Sequence, residues 1–127
     1  MMNAIYSYER YFAPAGRILV GVFFLLAGVG KVMGIAGTAA YITSVGLPAG
    51  TALAWLAGIF LIATGASLIT GFKAKDSACL LAVYTLLVSF LFHAPNTWDA
   101  DPSQQMAFMK NMAILGGLLV MTAHLKR

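Results

Sequence analysis

Apolar positions along the chain gather into four long runs. Residues 17–36, 51–70, 77–94 and 106–124 hold nearly unbroken Leu, Ile, Val, Ala, Phe, Met and Gly. An α-helix needs about 20 mostly apolar residues to cross the hydrocarbon core of a bilayer, and each run has about that length. The breaks between them carry turn chemistry. "SVGLPAG" (44–50) separates the first two runs. "GFKAKDS" (71–77) is short and basic, so the second and third spans are expected to be antiparallel neighbours. "HAPNTWDADPSQQ" (93–105) is the one long polar loop, and its two prolines and two aspartates keep it out of the membrane. The leading "MMNAIYSYERYFAPAG" lacks the basic start and apolar core of a secretory signal, so the first run is expected to be retained. Tyr6, Tyr8, Tyr11 and Phe12 around Glu9 and Arg10 suggest an interfacial segment with an aromatic belt. The pattern predicts one all-α domain over residues 1–127, an integral membrane antiparallel four-helix bundle.

Composition reinforces the lipid reading. Hydrophobic residues make up 61% of the chain and charged residues 9%, against about 45–50% and about 25% in soluble domains. A soluble fold of this size would lack the polar surface to cover itself, so the lipid bilayer is the expected partner. The net charge of +4 is spread over helix ends without a basic stripe, which argues against nucleic acid. Lone Cys79 allows neither an internal disulfide nor a CxxC pair. Arg10, Arg17, Lys73, Lys75, Lys126 and Arg127 fall on one side of the four-span arrangement. Only Lys31 and Lys110, both within spans, belong to the other. The positive-inside rule therefore puts both termini in the cytoplasm and turns loops 37–50 and 94–105 outward. Small residues at Gly30, Gly34, Ala54, Gly58, Gly116 and Gly117 are expected to let helices approach closely.

Four polar side chains interrupt this apolar frame. Lys31 lies toward the outer end of span one, and Lys110 and Asn111 toward the outer end of span four. His93 closes span three on the same side. Their shared depth on three helices points to one ligand-binding site in the outer third of the membrane. Two lysines meeting there require compensation, with Asp99 or Asp101 as candidate counter-charges. Snorkelling of each lysine to the surface is the simpler alternative. Phe23, Phe24, Tyr84, Phe90, Phe92 and Phe108 could line a pocket for a flat ligand or serve as ordinary packing. His124 stands at the opposite end from His93, so the two cannot share a haem, and no metal-ligand spacing is present. There is no Ser/His/Asp arrangement and no pair of carboxylates. "GVGKVMG" lies in a span and lacks P-loop spacing.

The segments "GRILVGVFFLLAGVGKVMGIAGTAAYITSVGLP", "FLFH" and "FMKNMAILGGLLV" resemble, in order and spacing, the DoxX family of small bacterial membrane proteins. The family motif falls on Arg17, Gly28, Lys31, Pro48, His93, Lys110, Asn111 and Gly116. The resemblance implies a multi-pass protein of the bacterial inner membrane. It implies links to thiosulfate:quinone oxidoreductase subunits, to membrane oxidoreductase complexes and to resistance against quinones or thiol oxidants. A redox-linked subunit that meets quinone, or a related small molecule, at the polar site is the reading that follows. A non-catalytic accessory or scaffolding subunit of a larger complex, or a homo-oligomer, is the alternative; a small transporter lacks a through-path of polar groups. Many family members carry a glutamate in span two, four residues before a glycine that corresponds to Gly65. Here that position is Leu61, and the span has no acid.

Overall fold

The computed structural model describes residues 2–94 and 98–125. Every regular element among them is helical: α1 (Met2–Tyr6), a 3-10 turn (Glu9–Tyr11), α2 (Phe12–Met33), α3 (Ile35–Ser44), α4 (Gly50–Thr70), α5 (Ala74–Phe92) and α6 (Pro102–His124). The helices α2, α4, α5 and α6 are long and apolar enough to cross a membrane. At 1.5 Å per residue, helices of 19 to 23 residues reach roughly 28–35 Å. The all-α, four-span reading therefore holds. With an even number of spans, α1 and the end of α6 share one end of the bundle, here the terminal end. The connection from α3 to α4 and the turn before α6 form the loop end. Lys126 and Arg127, counted above for orientation, lie outside the described residues.

One element departs from the expected layout. Residues 37–50 read as a loop, yet α3 occupies ten of the residues that follow α2. The α2 helix stops at Gly34, whose N–H donates to the Gly30 carbonyl at 3.0 Å. Thr38 Oγ1 then donates to the carbonyls of Gly34 (3.1 Å) and Lys31 (3.3 Å). The end of α2 thus finds its hydrogen-bond partners in the first turn of α3, as a helix terminus outside water requires. At roughly 15 Å, α3 is too short to span. It folds back on the start of α4, burying Ile42. A Cβ at Gly50 would lie 2.7 Å from the Ala39 carbonyl oxygen.

Close approach of backbones sets the main seam. A Cβ at Gly21 would stand 2.8 Å from the Gly65 oxygen, and one at Gly28 would stand 2.8 Å from the Gly58 oxygen. The two glycines of α2 are seven residues apart, as are their partners on antiparallel α4, so both pairs fall on one stripe. Gly58 and Ala54 are in the core as expected. Gly30, by contrast, has nothing within 4 Å and Gly34 meets only its own helix, so the contact glycines of α2 are Gly21 and Gly28. Gly116 and Gly117 also face open space. The expected role of Gly30 failed because it sits two residues from Gly28, which turns it to the other side of the helix.

The second seam joins α5 to α6. Buried positions on α5 run Ala74, Ser77, Ala78, Leu81, Ala82, Thr85 and Ser89, a helical stripe of mostly small residues. Leu118 is the single fully buried residue of α6 in this packing, and with Leu61, Leu68 and Leu81 it forms the centre of the core. At the terminal end, Lys75 Nζ donates to the Leu125 carbonyl at 3.2 Å. The turn from α4 to α5 is equally tight: Gly71 caps α4 at φ 86°, a conformation glycine adopts without strain. Ser77 and Ser67 hydroxyls meet at 2.7 Å beside it.

Candidate functional site

Two cavities border Lys31. The larger, about 670 Å3, is a groove bounded by α3, α4 and α5 with Lys31 of α2 at its margin. Tyr41 and Phe92 stack at one level with centroids 5.1 Å apart, and Phe60 meets Tyr84 at another at 5.4 Å. Leu56, Leu80, Leu87 and Leu91 also line the groove and are exposed on the outer surface. In a bilayer that side faces acyl chains. Polar groups enter only through Lys31, Thr38, Tyr41, Tyr84 and His93.

The smaller cavity, about 120 Å3, lies among α2, α5 and α6 with Leu61 of α4 in its wall. Its polar lining is Lys31, Tyr84, Thr85 and Asn111. Lys31, Tyr84 and Val88 border both spaces. Phe23 of α2, Leu61 of α4, Thr85 of α5 and Asn111 of α6 all stand within one turn of the midpoint of their helices. The chamber therefore lies near the middle of the four helices along their lengths. Helical side chains lean toward the helix N-terminus, so Lys31 near the loop end of α2 reaches back toward the middle, where Phe23 and Phe24 share its pocket.

The expected site residues divide between these spaces. Lys31 and His93 line the groove; Lys31 and Asn111 line the chamber. His93 Nδ1 is hydrogen-bonded to Gln104 Oε1. In a neutral imidazole that donates from Nδ1 to this carbonyl oxygen, Nε2 is an acceptor. The Trp98 indole donates to the His93 carbonyl at 3.1 Å, so the histidine is fastened to the approach of α6. Lys110 lines neither space. It is exposed, with its ammonium 5.7 Å from the centroid of Phe23, a cation–π distance. Asp101 caps α6: Oδ1 accepts from the Ser103 hydroxyl (2.6 Å) and the Ser103 N–H (3.1 Å). Those two bonds hold its carboxyl below the usual aspartate range. Asp99 is exposed in the turn before it. Neither aspartate lines the groove or the chamber. Leu61, where the resemblance places a glutamate, is 1% exposed and forms chamber wall. His124 is exposed at the far end of α6. No group of three metal-ligating side chains occurs among the described residues.

Thr85 was not singled out from the sequence, and Tyr84 only as one aromatic among several. Their common height with Asn111 was the available signal, since all three are polar groups near the centre of an apolar run.

The DoxX family model matches residues 12–94, which takes in α2 to α5 and all of the groove lining. The chain belongs to the DoxX family. Among curated proteins it is 37% identical over 105 residues to "Inner membrane protein YqjF" of Escherichia coli (strain K12), covering 83% of this chain and 77% of that one. It is 31% identical over 107 residues to "Inner membrane protein YphA" of the same organism, covering 83% and 76%. No solved structure matches the chain. Family and relatives agree with the four apolar spans in describing a multi-pass inner-membrane protein. The family match ends at Ala94, so Lys110 and Asn111 fall beyond it.

Proposed function

We propose that this DoxX-family protein binds a lipid-soluble molecule of the quinone class in the α3–α4–α5 groove and serves as a redox-linked membrane subunit. The groove itself carries the reading. Its volume of about 670 Å3 falls in the range of roughly 300–1,000 Å3 typical of small-molecule sites, and its mostly apolar lining with a few convergent polar groups is typical as well. A flat ring fits beside the Tyr41–Phe92 and Phe60–Tyr84 pairs, and an isoprenoid tail fits along the exposed leucines. Lys31 and the Tyr84 hydroxyl supply donors for a ring carbonyl; His93 Nε2 is placed to exchange a proton with the hydroxyl of a reduced ring. Electrons for such a reduction come from a redox partner protein, because the reading assigns no electron carrier to this chain.

Photolabelling tests the proposal. A short-chain azidoquinone added to the protein in lipid nanodiscs should label peptides of α3 and α5. Excess unlabelled quinone should suppress the signal, and Leu87→Trp should block it by filling the groove. Labelling spread over all lipid-facing helices, indifferent to competitor, would sink the reading.

A second reading is supported by α6. It buries one residue, and Gly116 and Gly117 face open space, which suits an accessory role packed against a second copy or a larger membrane subunit. Crosslinking from Gly117→Cys in native membranes separates the cases: a discrete higher-mass product supports packing, and monomer alone argues against it.

A further inference from the structure

The chamber holds four polar side chains, and the bonding of one is unusual for this molecule. Thr64, Thr70, Ser89 and Thr122 each donate the side-chain hydroxyl to the carbonyl four residues earlier, the ordinary way to satisfy such a group inside a helix. Thr85 does not. It is 4% exposed, and its Oγ1 is buried with no hydrogen-bond partner. Lys31, Tyr84 and Asn111 beside it are only half-buried. Leaving a fully buried hydroxyl such as that of Thr85 without a partner in a low-dielectric interior is expensive.

The set mixes donors and acceptors: lysine offers three donors and no acceptor, each hydroxyl one donor with acceptor lone pairs, and the amide two donors with a carbonyl oxygen, so its unbalanced feature is the ammonium's charge. No carboxylate lines the chamber, and Leu61 fills the wall where an acid would neutralise the lysine. A lone ammonium at the centre of a spanning helix costs about 2.5–3.5 kcal/mol on insertion scales; an electron-rich guest relieves whatever share of that cost falls on Lys31. The room is small. A water needs roughly 10–15 Å3 of such space, so about 120 Å3 has room for on the order of ten waters, or for a small anion with several.

We propose that this chamber binds a small monovalent oxyanion of carboxylate or nitrate size, held by the Lys31 ammonium, the Tyr84 and Thr85 hydroxyls and the Asn111 amide. The site is separate from the groove reading. Lys31 and Tyr84 border both, but Thr85 and Asn111 line the chamber alone, and Leu87 lines the groove alone.

The test is thermal unfolding in nanodiscs, with sodium nitrate or sodium formate exchanged for sodium gluconate at constant ionic strength and pH. Gluconate is too bulky to enter. Nitrate and formate should raise the melting temperature saturably. Thr85→Val, which removes one donor without changing shape, should raise the half-saturating concentration roughly three- to tenfold, and Asn111→Leu should do the same. Lys31→Met should abolish the effect, and Leu87→Trp should leave it intact. Equal melting in nitrate and gluconate would show that the chamber holds only water. A non-saturating rise, or one of the same size in Thr85→Val as in the unaltered protein, would also overturn the proposal. If Lys31→Met does not fold, Thr85→Val still decides, because the hydroxyl it deletes has no partner to lose.

Discussion

At the scale of single residues, the two lysines that drew attention in the sequence play different parts. Lys31 borders groove and chamber; Lys110 rests over Phe23 and is exposed. Lys31→Met should therefore weaken azidoquinone labelling about tenfold, the effect of losing one charge-assisted hydrogen bond. Lys110→Met should change it less than about twofold, as loss of a cation–π contact at an exposed position implies. Equal losses in both variants, measured by competition, would place the ligand nearer Lys110 than the groove. Lys31 and Asn111 were legible because charge and amide stand out in apolar runs. Thr85 was not, because threonine is ordinary in membrane helices and its unspent hydroxyl shows only once its neighbours are known. Asp101 supplies a pH test. Its carboxyl sits below the usual range through the Ser103 bonds, so its contribution is whole above the unfolded value of about 3.9. It is lost as pH falls through the lower folded value. Asp101→Ala should lower the melting temperature by a constant amount at pH 5–7, and that difference should shrink only as the pH falls below about 4. A difference that grew on acidification would contradict the cap.

At the scale of helices, length and hydropathy were enough to locate all four spans, since lipid imposes the same requirement on each. The structure starts α2 at Phe12 and α6 at Pro102, earlier than the apolar runs suggested, because an aromatic interface and a capped polar turn extend helices past the hydrocarbon. Helix α3 was hidden. Its Gly, Ala and Thr content resembles a linker, and its stability comes from Thr38 capping α2 and from the fit of Gly50 against Ala39. Choice among glycines also needed the structure, because small residues are frequent in membrane helices and the phase of the contact stripe depends on where the helices cross. Gly28→Leu should destabilise the bundle by about 1–3 kcal/mol or more, since its side chain would enter the Gly58 carbonyl. Gly30→Leu should lie within about 0.5 kcal/mol of the original protein. Unfolding in mixed detergent measures both; a large loss at Gly30 with none at Gly28 would mean the α2–α4 seam is rotated.

At the scale of the whole molecule, the helices pair as α2 with α4 and α5 with α6, and the polar spaces lie where those pairs meet. Residues from four helices share the chamber wall, which a scan along one span at a time does not bring together. The arrangement is also polarised: α3 and His93 occupy the loop end, while the Lys75–Leu125 and Ser67–Ser77 ties close the terminal end. Which end faces the cytoplasm decides where protons and small anions come from. Arg10, Arg17, Lys73 and Lys75 all belong to the terminal end, so the positive-inside rule predicts that this end faces the cytoplasm and the loop end the periplasm. In a Cys79→Ala background, a membrane-impermeant maleimide applied to intact cells should modify Asp99→Cys and spare Lys73→Cys; both positions are exposed in the structure. Permeabilised cells should react at both. Modification of Lys73→Cys with protection of Asp99→Cys would invert the protein. His93 and the groove mouth would then draw on the cytoplasm, and a partner delivering electrons would meet them from that side.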